Sequence, residues 1–532
     1  MVRALVGAVA ALALVGQVHG AERVDVPLKN WGGFALYRDA VYDDLERLVT
    51  AGLAGRTLLS TKPISRIEAA RIVARAIEEI RRDADGVHYG SRRDLEPVLD
   101  RLAQEFKVEL ASLGVRYSGT PTTSPAGMFT FYPIDRGQVR AGYARRDQSF
   151  VNGQGLRFQG GFNSGATFES RLQVGDMLSF YLQPEFHGNE EYTAARLNQA
   201  YAKLTLFNIE LMVGRENLWW GPGLRGSLIL SNNAPPLDQV RIGSAEPFML
   251  PLVGEWVGPT KLLFFIAQLE QNRDHPQAKL AGMRATVSPL SFLELGMSRV
   301  VMFDGNDRPS LNPEDYPRAI FYPPAGDDAR REAKYRNNNL FAIDADLRFR
   351  NVYRYFIPAR DLRLYGEFGW DDTCCATTFV PLQAAMSELA GIQALGLFGQ
   401  EGLDWRFEFV NTSALSYVHT QFTNGYWTRG EVISHYVGTE GREFFSRLTS
   451  RFTPSLMLGV DFNRATVGRT LIGKIGPKET RTGGGIDLSW AFAERYALFG
   501  EYDVAYVTNR NFHAGDNGLD HLLRLELTRS FR

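Results

Sequence analysis

The chain has 532 residues, 59 of them basic and 60 acidic, so its net charge of −1 gives no electrostatic pull toward nucleic acid. Its only two cysteines, Cys374 and Cys375, are adjacent, which excludes a disulfide framework, since that needs more cysteines spaced apart. With 52 glycines and 12% aromatic residues there is chain enough for one large β structure and a small extra domain.

Residues 1–20 read as a secretory signal peptide. Arg3 precedes an apolar and small stretch from Ala4 to Gly16, and Val18-His19-Gly20 supplies a small-residue cleavage site before Ala21. No later run reaches ~18 apolar residues, so the thickness of the hydrocarbon core excludes a spanning helix. A chain of this kind that lives in a membrane must close its strands into a barrel.

Over residues 21–112 the apolar period is 3.6, which predicts a small helical domain. Leu45, Leu48 and Val49 form a stripe closed by Gly52. A capping box, Ser65 with Glu68, opens a second helix through Ile67, Ala70, Ala74, Ile77 and Ile80. A third opens at Asp94 and buries Leu95, Val98, Leu99, Leu102, Phe106 and Leu110. This domain is too polar outside to enter lipid and is expected in the periplasm, beside or beneath a barrel.

Residues 113–532 are expected to form that barrel, because the period falls to two. Phe341, Ile343, Ala345, Leu347 and Phe349 share one strand face while Asp344, Asp346, Arg348 and Arg350 share the other. The pattern returns in 403–409, 456–463, 498–506 and 523–531, where Asp461, Asn463, Glu501, Asp503, Arg524 and Glu526 fall on the charged face. Short turns are expected at 175–176, 207–208, 288–291, 399–402, 453–454 and 493–495. Long loops are expected at 187–196, 219–248, 304–339, 371–393, 411–443 and 509–520, all on one side of the barrel. The count is about 18 antiparallel strands, 18 to 20 by alternation, with the segment 117–154 irregular. An inner face carrying carboxylates and arginines in similar numbers suits a plugged or salt-bridged interior, while a wide, water-filled lumen stays open as the alternative.

The densest non-repetitive segment runs from Gly214 to Pro236 and becomes an aromatic, Gly/Pro-shaped turn. Its Trp220-Gly221-Pro222-Gly223, followed by Ser227-Leu228-Ile229-Leu230-Ser231-Asn232-Asn233-Ala234, resembles the outer-membrane capsule-assembly proteins of the Wzi type. The blocks Phe422 to Gly430 and Ile433 to Gly441, and the strand Leu364 to Asp372, are similar to that family too. The resemblance implies a lectin-like outer-membrane barrel that holds capsular or other surface polysaccharide, with no catalytic step and no cofactor. It also implies outer-membrane lipid as surroundings and export machinery as a partner for the periplasmic helices. The polymer itself does not carry over, and the 304–339 loop and the Cys374-Cys375 loop have no match in the family.

Sugars are held by aromatic faces against C–H surfaces together with planar hydrogen-bonding groups. Trp219, Trp220, Arg225, Asn232, Asn233, Asp371, Asp372, Tyr426, Trp427, Arg429 and His435 supply both kinds on loops expected to converge outside. The tryptophans serve equally well in an interfacial girdle. A transport porin is the rival suggested by strand number. A barrel hydrolase is a weaker rival, since the position two residues after His419 is Gln421 and not a nucleophilic serine. The histidines show no metal-ligand spacing.

Overall fold

The computed structural model describes residues 22–28, 41–83, 95–117, 129–309, 311–321, 333–371, 386–468, 477–493 and 495–531. Residues 1–20, expected as a signal peptide, and Asp94, Asp372, Cys374 and Cys375 lie outside the described residues.

Eighteen antiparallel strands close into a barrel. The first, Phe129–Ala144, pairs with both Gly161–Val174 and the last strand, Gly518–Ser530, so no edge is left open. Alternation settles which face is which. In Asn338–Phe349 the side chains of Asp344, Asp346 and Arg348 are buried in the lumen, whereas Ile343 and Phe349 are exposed on the outer wall. Val240, Leu262, Met297, Phe368, Phe462 and Leu525 are exposed in the same way, an apolar band that lipid covers. Among the described residues no helix is long and apolar enough to cross a membrane.

Short and long connections fall largely on opposite ends, but the connection 245–258 is long and lies at the short-turn end, where the Ala245 N–H donates to the Asn208 carbonyl at 2.9 Å. The 187–196 segment is a tight connection, because Leu178–Asn189 and Thr193–Leu206 leave only three residues between them. Leu237–Ser244 and Met386–Leu395 are strands inside stretches expected as loops; each alternates for only eight to ten residues. The irregular 117–154 segment contains a 16-residue strand whose pairing slips between Tyr132 and Arg136, around Pro133, which has no N–H to donate. Part of the 304–339 loop folds over the outer wall. Its helix Tyr316–Phe321 places Ala319 and Ile320 on Ala281, Val301 and Phe303.

The helices are Val41–Thr50, Arg66–Arg82, Glu96–Glu105 and Lys107–Ser112. Ser65 accepts the Glu68 N–H at 3.3 Å, the cap that the sequence announces. The helix expected as the third is broken at Phe106. There the Arg66 guanidinium donates to the Glu105 carbonyl at 2.5 Å, occupying an oxygen that a continuous helix would use, and lies 4.9 Å from the Phe106 ring centre.

These helices are seated in the short-turn mouth of the barrel, bound to its inner wall, and not merely beside or beneath it. Glu46 bridges Arg363 at 3.0 Å, Arg406 at 2.8 Å and Lys62 at 3.0 Å. Arg47 pairs with Asp404, and Glu68 with Lys261 at 2.6 Å. Asp25 pairs with Lys203 at 2.7 Å and Arg241 at 2.9 Å, while the Leu59 and Ser60 N–H groups donate to Glu294. Burial alone would raise the Glu46 carboxyl, but Arg363, Lys62 and Arg406 outweigh it and hold the group well below its ordinary 4.5.

A depressed folded value means that this stabilisation is present above about pH 4.5 and is lost as pH falls through the folded value. Glu46→Ala is expected to leave Lys62 and Arg406 without a carboxylate partner and Arg363 with Asp346 alone, at a cost of about 3–5 kcal/mol. It should lower the unfolding temperature on heat-modifiability gels at pH 7, with a gap to the wild type that narrows as pH falls below 4.5.

Candidate functional site

The loops at the long-loop end do not converge outside the barrel; two of them turn back into it. After the strand Ile209–Glu216 the chain descends through the lumen until Trp219 and Trp220 pair with Lys62 and Thr61 in a two-residue antiparallel ladder. The Gly221 N–H donates to the Ser60 carbonyl at 2.8 Å, so an outer loop meets the N-terminal segment inside the barrel. Carboxylates on the wall fix the descent. Glu408 accepts the Leu224 and Arg225 N–H groups at 2.7 Å each, and Glu367 accepts from Leu228 at 2.8 Å and from Ser227 Oγ at 3.1 Å. An irregular backbone can cross a membrane-spanning lumen only when its donors are satisfied in this way.

The second inward loop spans 412–441. Asp371 accepts the Tyr417 N–H at 2.5 Å, and the Tyr417 hydroxyl donates to the Leu228 carbonyl at 3.0 Å. The Tyr426 hydroxyl donates to the Asn338 carbonyl at 2.8 Å. Ser231 N–H donates to the Ile433 carbonyl at 3.0 Å, joining the two loops. Both press on an apolar stretch of inner wall made by Phe265, Leu280, Val300, Met302, Leu340 and Ala342. The inner face is therefore not charged throughout, as alternation alone suggests: its short-turn half is ionic, and part of its long-loop half is apolar to receive the plug.

The structure separates the candidate residues. Trp219 is buried among the apolar side chains of the helices, with Nε1 donating to the Gly221 carbonyl at 3.1 Å. Trp220 is 1% exposed and packs edge-on to Phe265 with ring centres 5.4 Å apart. It sits over Gly282, where a Cβ would collide with both rings. Neither tryptophan faces lipid. Asn232, Tyr426 and His435 are likewise buried inside the plug, and Asp371 is buried against it at the end of the wall strand Asp361–Asp371. His435 lies against Gly226, whose place no larger residue could take, and burial, then Arg225, push its imidazole down to about 3. Arg429 is exposed, its N–H 3.4 Å from Glu270, and lies apart from the other candidates.

Arg225, Asn233 and Trp427 do come together, on the edge of a cavity of about 930 Å³. The plug leans on the wall from Pro259 to Asn411 and leaves this space against the opposite wall, formed by strands between Leu456 and Ser530 and by the 145–160 loop. Its size is at the upper end of the ~300–1,000 Å³ of small-molecule sites. Phe150, Phe158, Tyr436 and Trp427 supply aromatic surface. Asp461, Asn463, Glu501, Asp503 and Arg524 line it from the wall. These five line the candidate site, and reading the sequence did not single them out as one. Alternation puts them on the inner face but says nothing about which inner-face residues the plug leaves uncovered.

The Arg225 guanidinium pairs with Glu443 at 3.1 Å and lies 4.8 Å from the Phe445 ring centre. Trp427 keeps its indole N–H buried without a partner among the described residues. His419 Nδ1 is occupied by the N–H groups of Gln421 at 3.2 Å and Phe422 at 3.3 Å, a turn cap and not a poised base.

Comparison with known proteins agrees with this architecture. A family model described as capsule assembly protein Wzi matches residues 134–522. An uncharacterized 55.8 kDa protein in the cps region of Klebsiella pneumoniae is 28% identical over 257 residues, 47% of this chain and 43% of that protein, so the match spans less than half of the relative's length. Among solved structures, Wzi of Escherichia coli, described as an outer-membrane protein involved in group 1 capsule assembly and a carbohydrate-binding β-barrel, superposes with a TM-score of 0.67. That match has 21% identity and covers 93% of this chain and 99% of the other. OprD of Pseudomonas aeruginosa matches with a TM-score of 0.45 and 9% identity, over 75% of this chain and 94% of that one.

Trp220→Ala is expected to cost about 3–5 kcal/mol through the cavity it leaves against Phe265. The exposed Arg429→Ala should stay within about 0.5 kcal/mol. Unfolding temperatures of the two purified variants check the contrast.

Proposed function

The chain belongs to the capsule assembly protein Wzi family, and from that membership we propose that it holds capsular or other surface polysaccharide at the outer face of the outer membrane, with no catalytic step. The observation that carries this reading is the cavity left between the inward loops and the wall at the long-loop end. Its aromatic rings suit the C–H faces of sugars, and its carboxylates and guanidiniums suit the hydroxyls. An obstructed lumen suits attachment better than passage, which sets the porin reading behind this one. The satisfied His419 favours binding over hydrolysis.

In this reading Trp427, Arg225 and Asn233 contact the polymer, while Trp219, Trp220, Asn232, Asp371, Tyr426 and His435 position the loops that shape the cavity. The helices face the periplasm from the short-turn mouth. Arg75, Glu78, Arg81 and Arg82 on their exposed face are the surface offered to export machinery.

The test is retention of polymer by cells. Trp427→Ala is expected to give a heat-modifiable barrel at the wild-type level while surface polysaccharide appears in the medium. Unchanged retention by a folded Trp427→Ala barrel would contradict the reading.

A further inference from the structure

The cavity's charges are unevenly committed. Four guanidiniums line it, and each already has a carboxylate: Arg157 with Glu431 at 2.7 Å, Arg225 with Glu443 at 3.1 Å, Arg481 with Glu479 at 2.7 Å, and Arg524 with Glu501. The cations just behind are committed too. Arg447 pairs with Asp487 at 2.6 Å, and Arg510 pairs with Asp516 at 2.9 Å and Asp520 at 2.8 Å.

The carboxylates are not all committed. Asp503 has neither a hydrogen bond nor an ion pair among the described residues. Asp461 has only a long contact with Arg447 at 3.5 Å. Asp147 accepts the Gly160 N–H at 2.8 Å and pairs with no cation among the described residues. Asp461 and Asp503 converge, since a Cβ at Gly485 would touch the Asp503 carboxylate and stand 3.4 Å from that of Asp461. The uncommitted charge of the site is therefore carboxylate, which accepts hydrogen bonds and meets positive charge.

We infer that the cavity takes a glycan free of acidic groups, a neutral or amino-sugar polymer, and rejects chains bearing uronate, pyruvate or phosphate. This rests on the polysaccharide-holding reading above. A hydroxyl or ammonium of such a glycan donates to Asp503 and Asp461 without disturbing any existing pair. An acidic sugar meets like charge in a partly desolvated space. To find a cation it must draw a guanidinium from its carboxylate, leaving that carboxylate uncompensated.

The experiment uses the purified full-length barrel, immobilised in detergent. The probe is hot-water polysaccharide extracted from the cells that carry the chain, split on an anion exchanger into unretained neutral and retained acidic fractions. The expected result is at least tenfold more neutral than acidic polymer held per barrel. Asp503→Lys, accepted only as a heat-modifiable barrel, should reverse that ratio, and Asp503→Asn should reduce it. Capture of the acidic fraction by the wild type, released by 0.5 M salt, would overturn this inference and leave the polysaccharide reading standing. Capture of neither fraction would overturn both.

Discussion

A charge on the inner wall of an eighteen-stranded barrel must be met by water or by a partner, and here the N-terminal segment is the partner for a large share of them. Glu46, Arg47, Glu68 and Asp25 each reach across to cations or carboxylates of the wall, and Glu294 caps the Leu59 and Ser60 backbone. A buried pair of this kind adds little net stability over an apolar packing, but breaking one half is costly, so the arrangement fixes position more than it adds stability. Everything above depends on that fixed floor. Trp219 and Trp220 pair with Lys62 and Thr61, and the descending loop is thereby set at a definite depth.

With the depth set, the second loop has one place to go. Tyr417 and Tyr426 donate to Leu228 and Asn338, and Ser231 joins the two loops, so the plug closes on the apolar wall. The cavity is what remains on the other side. It is a by-product of where the plug leans, lined on one side by the plug and the 145–160 loop and on the other by Asp461, Asn463, Glu501, Asp503 and Arg524 of the wall.

The barrel was largely legible in the sequence because a period of two is a backbone property that each strand reports by itself. Asp344, Asp346 and Arg348 lie in the lumen as their alternation with Phe341, Ile343 and Leu347 requires. Leu237–Ser244 was hidden because a strand of eight residues between loops offers too few alternations to count. The site was less legible. Trp219, Trp220 and His435 are aromatic and polar groups in Gly/Pro-rich loops, which is how a ligand-contacting loop and an inward-folded plug both read. Only the partners distinguish them, and those are distant in sequence: Lys62 for Trp219, and Phe265 with Gly282 for Trp220. Asp461, Asp503 and Arg524 were readable as inner-face residues but not as the part of that face left open.

The account stands on a lumen blocked by its own loops and helices. The most direct measurement is the single-channel conductance of the purified full-length barrel in a planar bilayer. The account predicts a closed barrel, with no steady conductance at moderate voltage. A stable open channel in the folded wild-type protein would contradict it and return the chain to the transport reading.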